Sequence, residues 1–362
     1  MKQLYYTKFG ARGNGLTNQL ITLALGIMNC QLEKKSVLIV DTFFDDITLK
    51  MYSPVSAILD MDRMNIFLER EFGVTIVDIH DVKFTLQRVL YGAGAGANSL
   101  DLTDTLQELY CGPTTLHIPK ETNLNLLKGD PCVNRQKIVT VQYEINGKPI
   151  TEHYAERNAR IESDIVFNLS KANCIYSFKC IDAINRRLFD CILQNMAFHP
   201  TFVARAEEFI ATLPRGRMSC VHLRIEDDAI THWSKMNRMS ESDFRELLEA
   251  KYMDAITRHV PKTDHIVFLT YSGANRVIDY ARSQGYSCFT TPKDAVVGRE
   301  KHAIVDVLIS AACTGVFVGN FNPVRLRGST FSYFCMKLLR APVHHVLLDL
   351  DCIKSDFIVA TE

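Results

Sequence analysis

The sequence of 362 residues has no surplus of either charge, with 41 lysines and arginines against 41 aspartates and glutamates. That balance excludes a broad basic face for nucleic acid or anionic lipid, so any bound anion must be held locally. No stretch approaches the roughly 18 uninterrupted apolar residues of a membrane span. The opening MKQLYYTKFGARGNG lacks the apolar run and small-residue site of a secretory signal. The 11 cysteines are an odd number, scattered singly, with no C-x-x-C pair and no Cys/His metal spacing. Cys30, Cys191, Cys220, Cys313 and Cys335 fall in apolar periodic stretches, where a free thiol packs as a small hydrophobe. A reducing, cytoplasmic setting without membrane spans is the expectation. Neither a G-x-S-x-G elbow nor a P-loop is present. The acidic pairs Asp45-Asp46, Asp227-Asp228 and Asp349/Asp351 have no histidine or further carboxylate at ligand spacing, so no obligatory metal is expected.

What is present describes a globular protein with 47% apolar and 23% charged residues, long enough for two cores. The glycine-broken loop FGARGNGLTNQ is followed by LITLALGIMNCQLEKK, which reads as a buried helix with cations in its last turn, and then by the strand SVLIVD. VSAILDMDRMNIFLEREFG reads as an amphipathic helix stopped by Gly73, VTIVDI as a strand, and VKFTLQRVLY as a helix. GAGAGANS then reads as a mobile linker, because it follows a helix and carries no lysine for a phosphate. From Cys111 to Asn173 the pattern weakens into an insertion, in which QKIVTVQYEINGKPI predicts a hairpin closed at Asn146-Gly147. Two helices separated at His199-Pro200 mark the domain crossing. The expectation is an N-terminal Rossmann-like domain over 1–200, with the insertion near 111–173, and a C-terminal one over 201–362.

The second half alternates short strands and long helices: MSCVHLR, ESDFRELLEAKYMDAITRHV, HIVFLTYS, ANRVIDYARSQG, SCFTT, AIVDVLISAACTG, VFVGN and TFSYFCMKLLRA. That order predicts a parallel α/β sheet, with ligands beyond the carboxyl ends of its strands and a cleft between the two domains. His222 and Arg224 leave a strand end on one side. Arg224 either grips a diphosphate with its planar fork or closes a salt bridge to a nearby carboxylate, and spacing leaves both open. VFVGNFNPVRLRGSTFSYF places Arg325 and Arg327 in a loop before a helix starting near Ser329-Thr330-Phe331. That start is a candidate phosphate seat, or an ordinary hydroxyl cap. In the N-terminal loop, Gly15 permits close approach to backbone, while Asn18 and Gln19 offer amides at a helix start; a purely structural turn is the alternative.

In order, GNGLTNQL, VHLRIEDD and AIVDVLISAACTGVFVGN with RGSTFS resemble three motif regions of the GDP-fucose O-fucosyltransferase-like superfamily. Its members are GT-B glycosyltransferases, with two Rossmann-like domains facing an interdomain cleft. The resemblance implies metal-independent, inverting transfer of L-fucose from GDP-fucose to a hydroxyl of a glycan or protein acceptor, with no cofactor beyond the donor. Arg224 matches the motif arginine that binds the diphosphate and neutralises the leaving oxygen. His222 would contact the donor, Asp306 would lie near its base or ribose, and Ser329, Thr330 and Phe331 would hold phosphate and nucleoside. Asn18, with Gly15 beside it, matches the position near sugar and acceptor. Some relatives carry a glutamate base in the first motif, but the loop from Gly10 to Gln19 has no carboxylate. No base is assigned; Asp45 and Asp46, beyond the SVLIVD strand, are candidate acids on the acceptor side. HLRIEDDAITHWS also resembles plant members associated with UDP-rhamnose. A UDP-deoxysugar donor, or a non-catalytic sugar-nucleotide-binding or scaffold protein, are the alternatives.

Overall fold

The computed structural model describes residues 4–7, 15–34, 36–40, 42–44, 52–93, 99–112, 115–133, 135–145, 147–157, 160–161, 165–168, 183–271, 275–292, 298–339 and 343–361. By their contacts the residues form two compact units. One comprises Met1–Gly10, Leu25–Thr42 and Asn65–Ile175, and the other Ala11–Ala24, Phe43–Met64 and Tyr176–Glu362.

In the first unit, β1 (Leu4–Thr7), β2 (Val37–Val40) and β3 (Thr75–Asp78) pair in parallel in that order. Between them in sequence come α1 (Leu16–Leu32) and α2 (Met61–Phe72), whose first residues, to Ala24 and Met64, belong to the second unit. The lysines expected in the last turn of α1 lie past its end, where Lys34 takes a left-handed φ of 55°. The single helix expected from Val55 breaks into a 3-10 turn, Val55–Ala57, and α2. Leu59 bridges to Phe198 and Asp60 donates its N–H to Ala197, so the backbone between the two pieces is engaged outside any helix. Gly73, at φ 65°, ends α2 as expected.

The helix expected over VKFTLQRVLY is instead a strand, β4 (Phe84–Gly92). It lies between Ser99–Asp101 and β5 (Ile138–Ile145), which continues through β6 (Lys148–Arg157) to Arg160–Ile161 in a five-stranded antiparallel sheet. Leu86 pairs with Tyr143 but Arg88 with Gln142, so β4 carries one extra residue at that point. The bulge sets buried Leu86 and Val89 three apart, which imitates a helical period in a strand. The glycine-rich stretch therefore follows a strand, and its residues 94–98 lie outside the described residues. The predicted β5–β6 hairpin forms, with Gly147 at φ 76° in its turn.

The second unit holds α3 (Ala183–Gln194) and α4 (Pro200–Thr212), separated where expected, with His199 accepting the Thr201 N–H and Pro200 in the first turn. There follow β7 (Met218–His222), α5 (Asp227–Asn237), α6 (Glu241–His259), β8 (His265–Leu269), α7 (Arg276–Ser283) and β9 (Ser287–Thr290). The chain ends with α8 (Arg299–Ser310), β10 (Val316–Gly319), α9 (Thr330–Leu338), β11 (His344–Leu347) and β12 (Ile358–Thr361). The sheet order is β9-β8-β7-β10-β11-β12, parallel except for the antiparallel edge β12. All of β7 is buried, as a central parallel strand covered on both faces must be, so it reads as a continuous apolar run. VLLDLDCIKSD, near the C-terminus, belongs to this core: Val346, Leu348, Leu350 and Ile353 pack with Val221 and Phe268. None of the described cysteines forms a disulfide; Cys30, Cys220, Cys313 and Cys335 are buried, while Cys191 is only half-buried. Among the described residues no helix is long and apolar enough to cross a membrane.

The progression of strands reverses between β7 and β10. In an open α/β sheet such a switch point parts the loops that follow the two strands, and a crevice forms there.

Candidate functional site

A cavity of about 170 Å³ opens beyond the carboxyl ends of β7 and β8. Of the sequence-predicted residues that can be located, Gly15, Asn18, His222, Arg224, Asp306, Ser329, Thr330 and Phe331 line it. They come from stretches more than 200 residues apart in the chain and all belong to the second unit. Asp45 and Asp46 lie outside the described residues. Gln19 is buried and does not line the cavity, nor do Arg325 and Arg327, which pair with Asp349 and Asp351 instead.

His222 ends β7 and is 5% exposed. Its Nδ1 lies 2.7 Å from Ser332 Oγ and 3.3 Å from Asn320 Nδ2. Ser332 Oγ accepts the Asn320 N–H at 2.9 Å, and the Asn320 amide nitrogen, which can only donate, also faces Nδ1, so Nδ1 is the accepting nitrogen. The neutral ring then carries its proton on Nε2, and Phe331 packs on it at 4.5 Å between centroids. Burial, with the Arg224 charge added, pushes the His222 pKa down to about 3. The unfolded chain takes up this proton below about pH 6.5 and the folded chain does not until about pH 3, so the native state loses stability as pH falls through that window. The expected slope is about 1.4 kcal/mol per pH unit. Urea unfolding between pH 4 and 6.5 checks this, and in His222→Gln that component of the slope should vanish.

Arg224 follows the strand end. Its backbone N–H donates to the Tyr252 hydroxyl at 2.9 Å, which in turn donates to Asn320 Oδ1 at 2.6 Å. This ties the turn after β7 to the residue after β10, across the switch point. The guanidinium donates to Glu226 at 2.8 Å and to Asp228 at 2.7 Å, leaving the Nε–H without a hydrogen bond among the described residues. Burial disfavours the Arg224 charge, but the two carboxylates outweigh it and raise the pKa. Asp228 is likewise held below the usual carboxylate range, burial notwithstanding, chiefly by Arg224. The salt bridge left open by the spacing is therefore present, and it fixes the fork within the cavity wall. Asp227 instead pairs with Arg245 at 2.6 Å, and the EDD run begins a helix rather than a loop.

Ser329 sits at the N-cap position of α9, yet its side chain caps nothing, so it is not the ordinary hydroxyl cap. Its N–H is taken by Asn320 O at 2.7 Å, while Ser329, Thr330 and Phe331 at the start of α9 line the cavity. Thr330 Oγ1 lies 3.3 Å from Thr17 Oγ1, linking the starts of α9 and α1. Asp306, on α8, accepts the Thr291 hydroxyl at 2.7 Å. Asn18, in the first turn of α1, has a buried Oδ1 with no hydrogen-bond partner among the described residues.

Arg299, Glu300 and His302, in the first turn of α8, also line the cavity and were not singled out in the sequence. GREKHA reads locally as the charged start of a helix, and nothing local separates its buried members from solvated ones. Glu300 is 7% exposed, and its Oε2 accepts the Leu16 N–H at 2.5 Å. A Cβ at position 15 would stand 3.2 Å from that oxygen, which is why glycine suits the entry to α1.

No protein-family model matches the sequence, and no curated protein matches it. Among solved structures, the chain is similar to the fucosyltransferase NodZ from Bradyrhizobium, with a TM-score of 0.53 and 14% identity over 100% of both chains. It is also similar to POFUT1 in complex with GDP, with a TM-score of 0.47 and 10% identity over 93% of this chain and 94% of that one. With the likeness to NodZ, the order of the elements and the cavity at a strand-order switch, the architecture is that of an α/β GT-B fold.

Proposed function

We propose that this cavity is the donor site of a metal-independent, inverting glycosyltransferase that moves L-fucose from GDP-fucose to a hydroxyl of a glycan or protein acceptor. The observation that carries the reading is convergence: Gly15 and Asn18, His222 and Arg224, and Asp306 with Ser329, Thr330 and Phe331, drawn from all three fucosyltransferase-like motifs, line one cavity, in a chain that shares its fold with a fucosyltransferase. Arg224 and the first turn of α9 with Ser329 and Thr330 would hold the diphosphate, supplying the positive potential that a divalent cation supplies in other transferases. His222 would offer its Nε2–H to the donor, Asp306 would face base or ribose, and Phe331 would wall the nucleoside. Gly15 and Asn18 would lie beside the sugar, where the acceptor hydroxyl attacks the anomeric carbon from the face opposite the leaving diphosphate.

In this reading residues 201–362 supply most donor contacts, and residues 1–200, including the segment near 111–173, supply the acceptor side. That the described cysteines form no disulfide supports a reducing, cytoplasmic setting. Isothermal calorimetry of the full chain with GDP and with UDP tests the donor. GDP is expected to bind at least tenfold more tightly. A preference for UDP would transfer the reading to a UDP-deoxysugar such as UDP-rhamnose, and binding of neither would leave a scaffold protein.

A further inference from the structure

The transfer just described needs a group that takes the proton of the attacking hydroxyl, and the cavity wall contains four described carboxylates. Glu226 and Asp228 are both engaged by Arg224, and Asp306 accepts the Thr291 hydroxyl. Glu300 differs from these. Its Oε2 is anchored by the Leu16 N–H, while its Oε1 accepts no hydrogen bond among the described residues. The anchoring N–H belongs to the residue between Gly15 and Thr17, so the carboxylate stands in the very turn that presents Asn18. The first motif, which has no carboxylate of its own, thus receives one from α8, 284 positions later in the chain.

Resting on the donor-site reading above, we infer that Glu300 is the proton acceptor of the transfer. As the acceptor oxygen bonds to the anomeric carbon, the bond from that carbon to the β-phosphate oxygen breaks and its electron pair leaves with GDP. The hydroxyl proton passes to Glu300 Oε1. On a residue that lines the cavity, one oxygen is held by a backbone N–H and the other is without a hydrogen bond among the described residues, which is the arrangement a base needs: the anchor holds the carboxylate without consuming its second oxygen.

The charged groups facing Glu300 are Arg299 on its own turn, Arg224 beyond β7 and Asp228 at the start of α5; α1 contributes its N–H rather than a charge. Burial raises the carboxyl pKa against the lowering effects of the Leu16 N–H, Arg299 and Arg224. A raised pKa makes the carboxylate a stronger base and puts the acid limb of the rate profile above the ordinary carboxylate range.

The test is GDP release from GDP-fucose by the full chain, with water and then with sodium azide as nucleophile. Water must give up a proton, whereas azide has none to lose. Glu300→Gln retains a carbonyl oxygen for the Leu16 N–H. In this variant hydrolysis is expected to fall about 100-fold or more with GDP affinity within about threefold, while reaction with azide stays within about threefold of the wild type. The wild-type hydrolysis rate should decline as pH falls through the Glu300 pKa. The proposal is overturned if the variant hydrolyses the donor at the wild-type rate, or if azide is slowed as much as water. It is also overturned, whatever the folding of the variant, if the wild-type profile is flat between pH 4.5 and 8. A wild type that neither binds GDP nor releases it from GDP-fucose defeats the donor-site reading itself; normal GDP binding with an unaffected variant defeats only the base.

Discussion

Replacing Arg224 by alanine is expected to lower donor turnover by about 10³-fold while the fold persists. The guanidinium is positioned before any ligand arrives, by Glu226 and Asp228 on one side and by the Tyr252 hydroxyl at its backbone N–H on the other. A donor group set in place beforehand stabilises charge on a leaving oxygen without reorganising during the reaction, and in a partly buried wall the effect is larger than in water. The alanine variant also strips the cavity of one of its two arginines and leaves Glu226 and Asp228 facing the diphosphate, so GDP affinity should fall as well. Arg224→Lys should recover little, because an ammonium cannot reproduce the planar fork that spans two carboxylates. GDP release and GDP calorimetry read the loss, and a thermal melt by circular dichroism reads the fold. Turnover within threefold of the wild type would remove Arg224 from the chemistry and leave its salt bridges as purely structural.

The second large effect is expected from Gly328→Ala, and it concerns how the turn at Ser329 is made. Gly328 takes a φ of 121°, and a Cβ there would overlap the Asn320 carbonyl oxygen and stand 2.9 Å from Phe321 Cα. Both obstacles are backbone, so no side chain can swing aside. The short hairpin pairing Phe321–Asn322 with Arg327–Gly328 would have to open, and Asn320 O would lose its bond to the Ser329 N–H. A destabilisation of about 3 kcal/mol is expected, combining left-handed strain with the backbone clash, together with weaker GDP binding. Gly285→Ala is the control: its φ is 83° but the added Cβ meets nothing within 4 Å, so only strain of about 1 kcal/mol applies. Equal urea midpoints for the two variants would show that the Asn320–Ser329 turn tolerates displacement.

Much of the second unit was legible in the chain because its signals are local. β7 is buried on every residue because it is covered on both faces, so the chain shows a short buried strand there, and the glycine and proline punctuation separates the strands and helices that follow. Residues 299–302 were not legible, because a charged first turn looks the same whether it meets solvent or another helix. The first unit was less legible for a different reason. One extra residue in β4 moved its buried side chains from a spacing of two to three, so a strand carried the pattern of a helix. At Leu59, which belongs to the second unit, the apolar spacing of a helix continued, but the β-bridge to Phe198 took the backbone elsewhere.

The stretch HLRIEDD illustrates the division. By itself the sequence determined that an apolar strand ends in an arginine and three carboxylates, and that two further stretches carry glycine, amide and hydroxyl residues suited to an anion. Side-chain period, capping and turn chemistry act over a few residues, so they can be read without the rest of the chain. Only the tertiary structure decided that Glu226 and Asp228 orient Arg224, that Asp227 serves Arg245, and that Glu300 docks on Leu16. The Arg224 pairs lie within one stretch, but spacing alone left open whether the guanidinium takes them; the contact of Glu300 with Leu16, 284 positions away, depends on the packing of the whole unit rather than on any local stretch.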